Sequence, residues 1–325
     1  MGGAVGYTRN EESLMTRLAL PSTLGLLLCL HASPAQAIPE TWVASNGGGV
    51  ACTRAAPCFN FATAMAVTDV GGVIKCVDAG NFGPVTITKA LTIDCSGTNG
   101  GIVAMETGVV VNAAGAVVTL RGLSIVGIGG TAGVISTNGS ALHIESCYIS
   151  NFRAVAARGI SVTSTAGTLR LQVADTVISQ NGLPGSEGSG ISIVSIGSGS
   201  VRAVLNRVRV ENNNGQGIVA DGSGAGTIVV QVRDAVVADN TSNGIAALGT
   251  AFTAFVVDRS SSVLNGGNGI LAQGASAVVH LGSSTVIGNG GGLIVAGGGQ
   301  ILSYQNNQAS GNVVDGAPTG VLSVK

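Results

Sequence analysis

Charge is scarce in this 325-residue chain: 10% of the residues are Asp, Glu, Lys or Arg, and the formal net charge is −1. Such a chain has no bulk field to draw in nucleic acid or a membrane surface, and neither partner is expected. Aromatic residues make up only 3%, so few stacking platforms are available. Histidine occurs three times and no C-x-x-C pair is present, so neither a metal site nor a cofactor is expected. Long helices are disfavoured as well. With 52 Gly in a chain dominated by Val, Ile, Ala, Ser, Thr and Asn, the composition favours short strands joined by tight turns.

The N-terminus reads as an export signal. From Met15 the chain runs "MTRLALPSTLGLLLCLHASPAQA", with one Arg, an apolar run to Leu30 and a small-x-small end at Ala35 and Ala37. Residues 1–37 are therefore expected to be removed, with Met15 as the true start and a periplasmic or extracellular destination. The apolar run is too short for a membrane span. Cys29 invites a lipoprotein reading, but Leu28 stands where such a signal wants a small residue. The mature chain keeps Cys52, Cys58, Cys76, Cys95 and Cys147. In an oxidising compartment, an odd count points to two bridges and one leftover.

A polar knot recurs along the remainder: "SQNGLPGSEGSGISI", "ENNNGQGIVA", "DNTSNGIAA", "LNGGNGILA" and "GNGGGLIVA". In each, an Asn is followed by a polar turn, then by Gly and an apolar residue. Asn181, Asn212, Asn240, Asn265, Asn289 and Asn312 mark the repeat, at intervals falling from 31 to 23 residues. "YISNFRAVAARGISV" is an earlier, degenerate pass. The period is too long for a hairpin and lacks helical spacing, so each repeat is expected to form one turn of a coil. Coils stacked as parallel strands about 4.8 Å apart would place each Asn above the last. Its amide would bond both its own turn and the next Asn, which makes these residues a structural ladder rather than ligands. Gly is expected to supply backbone conformations that other residues resist.

This pattern resembles the right-handed parallel β-helix proteins of the pectin-lyase-like group, over about residues 41 to 316. The resemblance implies an all-β solenoid of about nine to ten coils. Residues 38–72 would then form an N-terminal strand and capping helix, and residues 73–325 the β-helix. The cap is expected at about 59–68, with Phe61, Ala64, Met65 and Val67 as its buried face. Matching places in consecutive strands, "VIKC" and "TIDC", pair Cys76 with Cys95. Cys52–Cys58 closes the other bridge, leaving Cys147 free in the core.

The group contains polysaccharide lyases, glycoside hydrolases, epimerases, phage tail fibres and adhesins, so the fold does not choose among them. The hydrolases' N-T-D, D-D and G-H-G segments are missing, with only "NTS" at 240–242. So is the lyases' R-x-P-x-x-R segment, and the acids are spread along the coils instead of clustering around an ion. "DRSSS" at 258–262 lacks the Gly-flanked elbow of a serine hydrolase. These absences favour a secreted, non-catalytic module that binds polysaccharide. A lyase or hydrolase with an unfamiliar site is one alternative; a passive, self-associating surface protein is the other. Paired threonines of the ice-binding kind are isolated, at Thr86 with Thr88 and Thr163 with Thr165.

Counting back from each ladder position, alternation along the strand before the turn sends Leu171, Val173, Val230, Val232, Val279 and Leu281 inward. Their neighbours His143, Glu145, Arg170, Gln172, Arg202, Gln231, Arg233, Asp258 and His280 then face out, provided the coil near residue 200 shifts by one. Arg170, Arg202 and Arg233 are expected to form a basic stripe on three successive coils. Related enzymes bind polysaccharide on a comparable face, which implies an acidic glycan as the partner of this stripe. The competing expectation is ordinary solvated charge, with Arg233 paired to Asp258.

Overall fold

Each repeat contributes three strands, and strands at the same place in successive repeats lie side by side. In one coil these are Thr168–Ala174, Val177–Ser179 and Gly188–Ser195, and the next coil opens with Ser200–Asn206. The computed structural model describes residue 2, residues 38–137 and residues 141–323; the expected export signal lies outside them. Residues 37–325 form one compact unit. Among the described residues every strand pairing is parallel, and the strands build three sheets of twelve, ten and ten members. The chain is a right-handed parallel β-helix, the hand that right-twisted parallel strands favour.

Period-two alternation builds the core. Val173, Leu205, Val232, Val257 and Leu281 stack in register on five successive coils, and all are buried. Each such side chain contributes about 1.5–3 kcal/mol by leaving water, which offsets the entropy of ordering the short strands and turns around it.

The corner between the second and third sheets holds the asparagine ladder, with one correction. Its members are Asn181, Asn213, Asn240, Asn265, Asn289 and Asn312, joined Nδ2 to Oδ1 at 2.9–3.0 Å. Asn213 takes the place expected for Asn212. Asn212 is exposed, with φ +56°, the left-handed corner position that Gln180, Asp239, Leu264 and Gly288 fill in neighbouring coils. Each corner thus uses two consecutive residues: one to turn the backbone, the next to satisfy it. The Asn240 amide shows how complete that is. Its Oδ1 accepts from Asn213 N and Nδ2, and its Nδ2 donates to Asn265 Oδ1 and to the Val210 carbonyl. Asp315 closes the lower end by accepting from Asn312. At the upper end, Phe152 N donates to Asn181 Oδ1.

The glycine of each Gly-Ile step has a different cause from the one expected. Gly217 and Gly269 do not adopt positive φ. Cβ atoms there would lie 2.9 Å and 2.6 Å from the ladder amides of Asn240 and Asn289. A methyl of Val237 or Val286 would come closer still, at 2.5 Å, so valine methyl and ladder amide together leave room only for glycine.

A short helix, Phe61–Val67, packs against the first strands and buries Phe61 and Ala64. It is three residues shorter than the expected 59–68; Met65 and Val67 are only partly buried against the core. Asn60 caps it by accepting from Thr63 N at 2.8 Å. The bridges are Cys52–Cys58 and Cys76–Cys95, with Cα separations of 4.6 Å and 4.9 Å. Cys147 is free and buried. The two disulfides fit an oxidising, exported setting.

Replacing Asn240 by Ala strips partners from buried groups on both sides and is expected to cost about 1–3 kcal/mol. Asn212→Gly keeps the left-handed turn and removes no ladder bond, so it should stay within about 0.5 kcal/mol of the parent. Reversible denaturation of the two variants measures both. Equal effects would mean that the ladder is not what holds the corner.

Candidate functional site

The outward residues of the twelve-stranded sheet fall into three columns. His143, Gln172, Val204, Gln231, Val256 and His280 form one, each paired with the next. Arg170 and Arg202 are direct neighbours in a second column, and Arg202 meets Val229 on the next coil. Glu145, Ala174, Asn206, Arg233 and Asp258 share the third. The coil near residue 200 needs no shift: Val201, Ala203 and Leu205 are buried, while Arg202 and Val204 face out.

Five of the candidate residues come together. His143, Arg170, Gln172, Arg202 and Gln231 line one groove of about 450 Å³, with Val204 and Val229 as its apolar floor. The remaining four outward residues do not join it, Glu145 lying in the third column against Arg121. Arg233 lies four residues along the strand from Val229, roughly 13 Å by strand geometry, so the expected three-arginine stripe is a pair. Asp258 lies in Arg233's column, and His280 lies two strands beyond Gln231. The floor was the feature missed from sequence. Val204 is 41% exposed and Val229 38%, but in a chain rich in valine only strand alternation separates an outward Val from a core one.

Pairing divides the arginines of this region. Arg233 stands 3.6 Å from Asp234 and 3.9 Å from Asp258. Arg121 pairs with Glu145 at 2.9 Å and Asp94 at 3.5 Å. At the corner of the first and second sheets, Arg207 grips Asp175 with two bonds of 2.6 and 2.7 Å, and Arg259 grips Asp234 likewise at 2.8 and 3.0 Å. Those hydrogen bonds hold both carboxyls below the ordinary aspartate value. Arg170 and Arg202 have no ion pair or hydrogen bond among the described residues, and both are exposed. No carboxylate is among the described residues lining their groove.

Such a groove presents two adjacent positive forks, two amides, an imidazole and an aliphatic floor. Guanidinium forks match carboxylates bidentately, and the amides match hydroxyls. Hydrolysis of a glycosidic bond by a carboxylate pair needs groups that this lining does not supply. No group of His, Cys, Asp and Glu among the described residues could hold a metal ion. No helix among the described residues is long and apolar enough to cross a membrane.

Three parallel sheets wound from one repeating coil define a parallel β-helix protein, and a solved structure shares that fold. Pectate lyase Pel9A is similar over 88% of this chain and 80% of its own, with a TM-score of 0.58 at 14% sequence identity. A variant of the periplasmic alginate epimerase AlgG aligns over 77% of this chain and 75% of its own, with a TM-score of 0.36 at 14% identity. No family model and no curated protein matches the sequence.

Cys147 is the one free thiol among the described residues. Burial pushes its pKa up to about 11, against weaker lowering by hydrogen bonds with the backbone at Leu123, Glu145 and Gly122. A nucleophile needs the opposite shift. Folded protein lacking residues 1–37, and with them Cys29, is therefore expected at about pH 8 to resist alkylation by iodoacetamide at Cys147, while the same protein denatured with its disulfides intact takes up one label. Mass spectrometry reads both, and rapid native labelling would contradict the buried placement.

Proposed function

We propose that this chain is an exported, non-catalytic β-helix module that holds an acidic polysaccharide along the groove of its twelve-stranded sheet. The observation that carries this reading is the pairing pattern. The sheet's third column neutralises its cations with carboxylates, whereas Arg170 and Arg202 stand side by side, exposed and unpaired. Leaving two guanidiniums unpartnered on adjacent coils forgoes ion pairs that the same sheet forms elsewhere. An incoming carboxylate polymer would supply those partners. Gln172 and Gln231 would bond sugar hydroxyls, His143 would add a further polar contact, and Val204 and Val229 would take the apolar C–H face of a ring. Coil spacing repeats the contact along the axis, so modest interactions can add.

The fold shared with a protein named pectate lyase supports a carboxylate-bearing polymer as the class of ligand. The lining without a carboxylate supports binding over hydrolysis.

Retention on immobilised polygalacturonate, alginate and a neutral glucan, at low and moderate salt, tests the reading. The parent is expected to be retained on the acidic polymers and released by salt. An Arg170→Gln/Arg202→Gln double variant should bind at least about tenfold more weakly, as loss of charge-assisted bonds requires. A parent that ignores acidic polymers, or a double variant that binds equally well, contradicts the proposal. Release of shortened or unsaturated uronate products would overturn the non-catalytic part.

A further inference from the structure

A second polar concavity lies on a different sheet, the ten-stranded one that begins each coil after the asparagine corner. Arg158, Ser189 and Gln216 stack in register on three successive coils. Beside them, Ser192 pairs with Val219, and Val194, Asp221 and Leu248 form the next column. Together with Glu187 these residues enclose a pit of about 230 Å³.

Of three buried side-chain polar atoms without a partner among the described residues, two lie in this pit; the third is Ser136 Oγ, elsewhere on the same sheet. Ser189 is 3% exposed, and its Oγ is buried with no hydrogen-bond partner; the Oε1 of its register neighbour Gln216 is buried and partnerless too. Buried polar groups are ordinarily satisfied, and the adjacent corner satisfies every amide position of Asn240. Arg158 and Glu187 on the rim likewise have no ion pair among the described residues. The pit, at about 230 Å³, is several times the roughly 30 Å³ share of one water molecule and so has room for more than a single solvent molecule.

We propose that this pit is a binding site for one uncharged pyranose residue, separate from the groove and independent of the acidic-polymer reading. Three features select that class. The hydroxyl of Ser189, the amide of Gln216, the guanidinium of Arg158 and the carboxylates of Glu187 and Asp221 offer donors and acceptors around one pit, as vicinal hydroxyls demand. Val194, Val219 and Leu248 provide an aliphatic patch for the ring's C–H face. Two carboxylates against one guanidinium disfavour an anionic ligand. An added peptide strand is excluded, because these strands are already paired on both sides and have no free backbone edge.

Ligand-observed saturation-transfer NMR on the intact protein tests this, with the methyl glycosides of glucose, galactose and mannose as probes. At least one is expected to show transfer from the parent, weakened about tenfold or more in Gln216→Leu and in Ser189→Ala. Each variant removes an orphaned buried polar atom, so each should keep or raise the melting temperature; loss of signal then reports the site and not unfolding. The Arg170→Gln/Arg202→Gln variant should keep the methyl-glycoside signal, and the two pit variants should keep binding to polygalacturonate. No transfer to the parent from any of the three glycosides overturns the proposal. So does a signal that survives Gln216→Leu and Ser189→Ala, or one lost in the double arginine variant.

Discussion

A coil that turns sharply inside its own core must find partners for the backbone and amide groups it buries there, and one stacked amide per coil meets that need. Each interior ladder asparagine, as at Asn240, accepts two hydrogen bonds from the coil before it and passes its own amide protons to the next asparagine and to a buried carbonyl. Remove the amide and several buried groups lose partners together, a penalty far larger than the net worth of one hydrogen bond. The glycine before each inward apolar residue follows from the same stacking, because a core side chain and the ladder amide together crowd the space a Cβ would need. So does the left-handed residue before each ladder position, which turns the chain into the corner.

Once the corner is fixed, register is fixed, and register converts sequence into surface. Side chains at matched places form columns at strand spacing, so the outside of the long sheet reads as stripes of defined chemistry. One stripe neutralises itself, with Arg121 between Asp94 and Glu145 and Arg233 near Asp258. Another leaves Arg170 and Arg202 without counter-charge. In a chain with only 15 Lys and Arg, where most of the described basic side chains have a partner, that local imbalance is informative in a way that net charge is not. The pit around Ser189 and Gln216 is informative for the opposite reason: it gathers two of the three buried side-chain polar atoms that lack a partner among the described residues, the third being Ser136 Oγ.

The repeat made the fold legible, because periodic Asn and Gly-Ile steps report a physical stack. Cys76 and Cys95 were legible for the same reason, as equivalent positions on consecutive coils. What failed was resolution to a single residue. In "ENNNG" three asparagines compete, and spacing alone does not tell the turning residue Asn212 from the satisfying residue Asn213; the coil length between Asn181 and its partner is 32 residues, not 31. Arg233 was misplaced because a match in residue count ignored the loop lengths between coils. Arg202 leads to Val229, and Arg233 falls four positions later. The pit was not legible at all, since it depends on which polar atoms are left unpartnered after the chain has folded.

The pairing pattern of the arginines carries the functional account, and their side-chain resonances report it directly. Titration of isotope-labelled protein with trigalacturonate, followed through the arginine Nε–Hε signals, is expected to shift and slow the exchange of Arg170 and Arg202. The carboxylate-gripped Arg207 and Arg259 should stay unmoved. Shifts at Arg207 or Arg259 with none at Arg170 and Arg202, or no shifts at any arginine, would contradict the account.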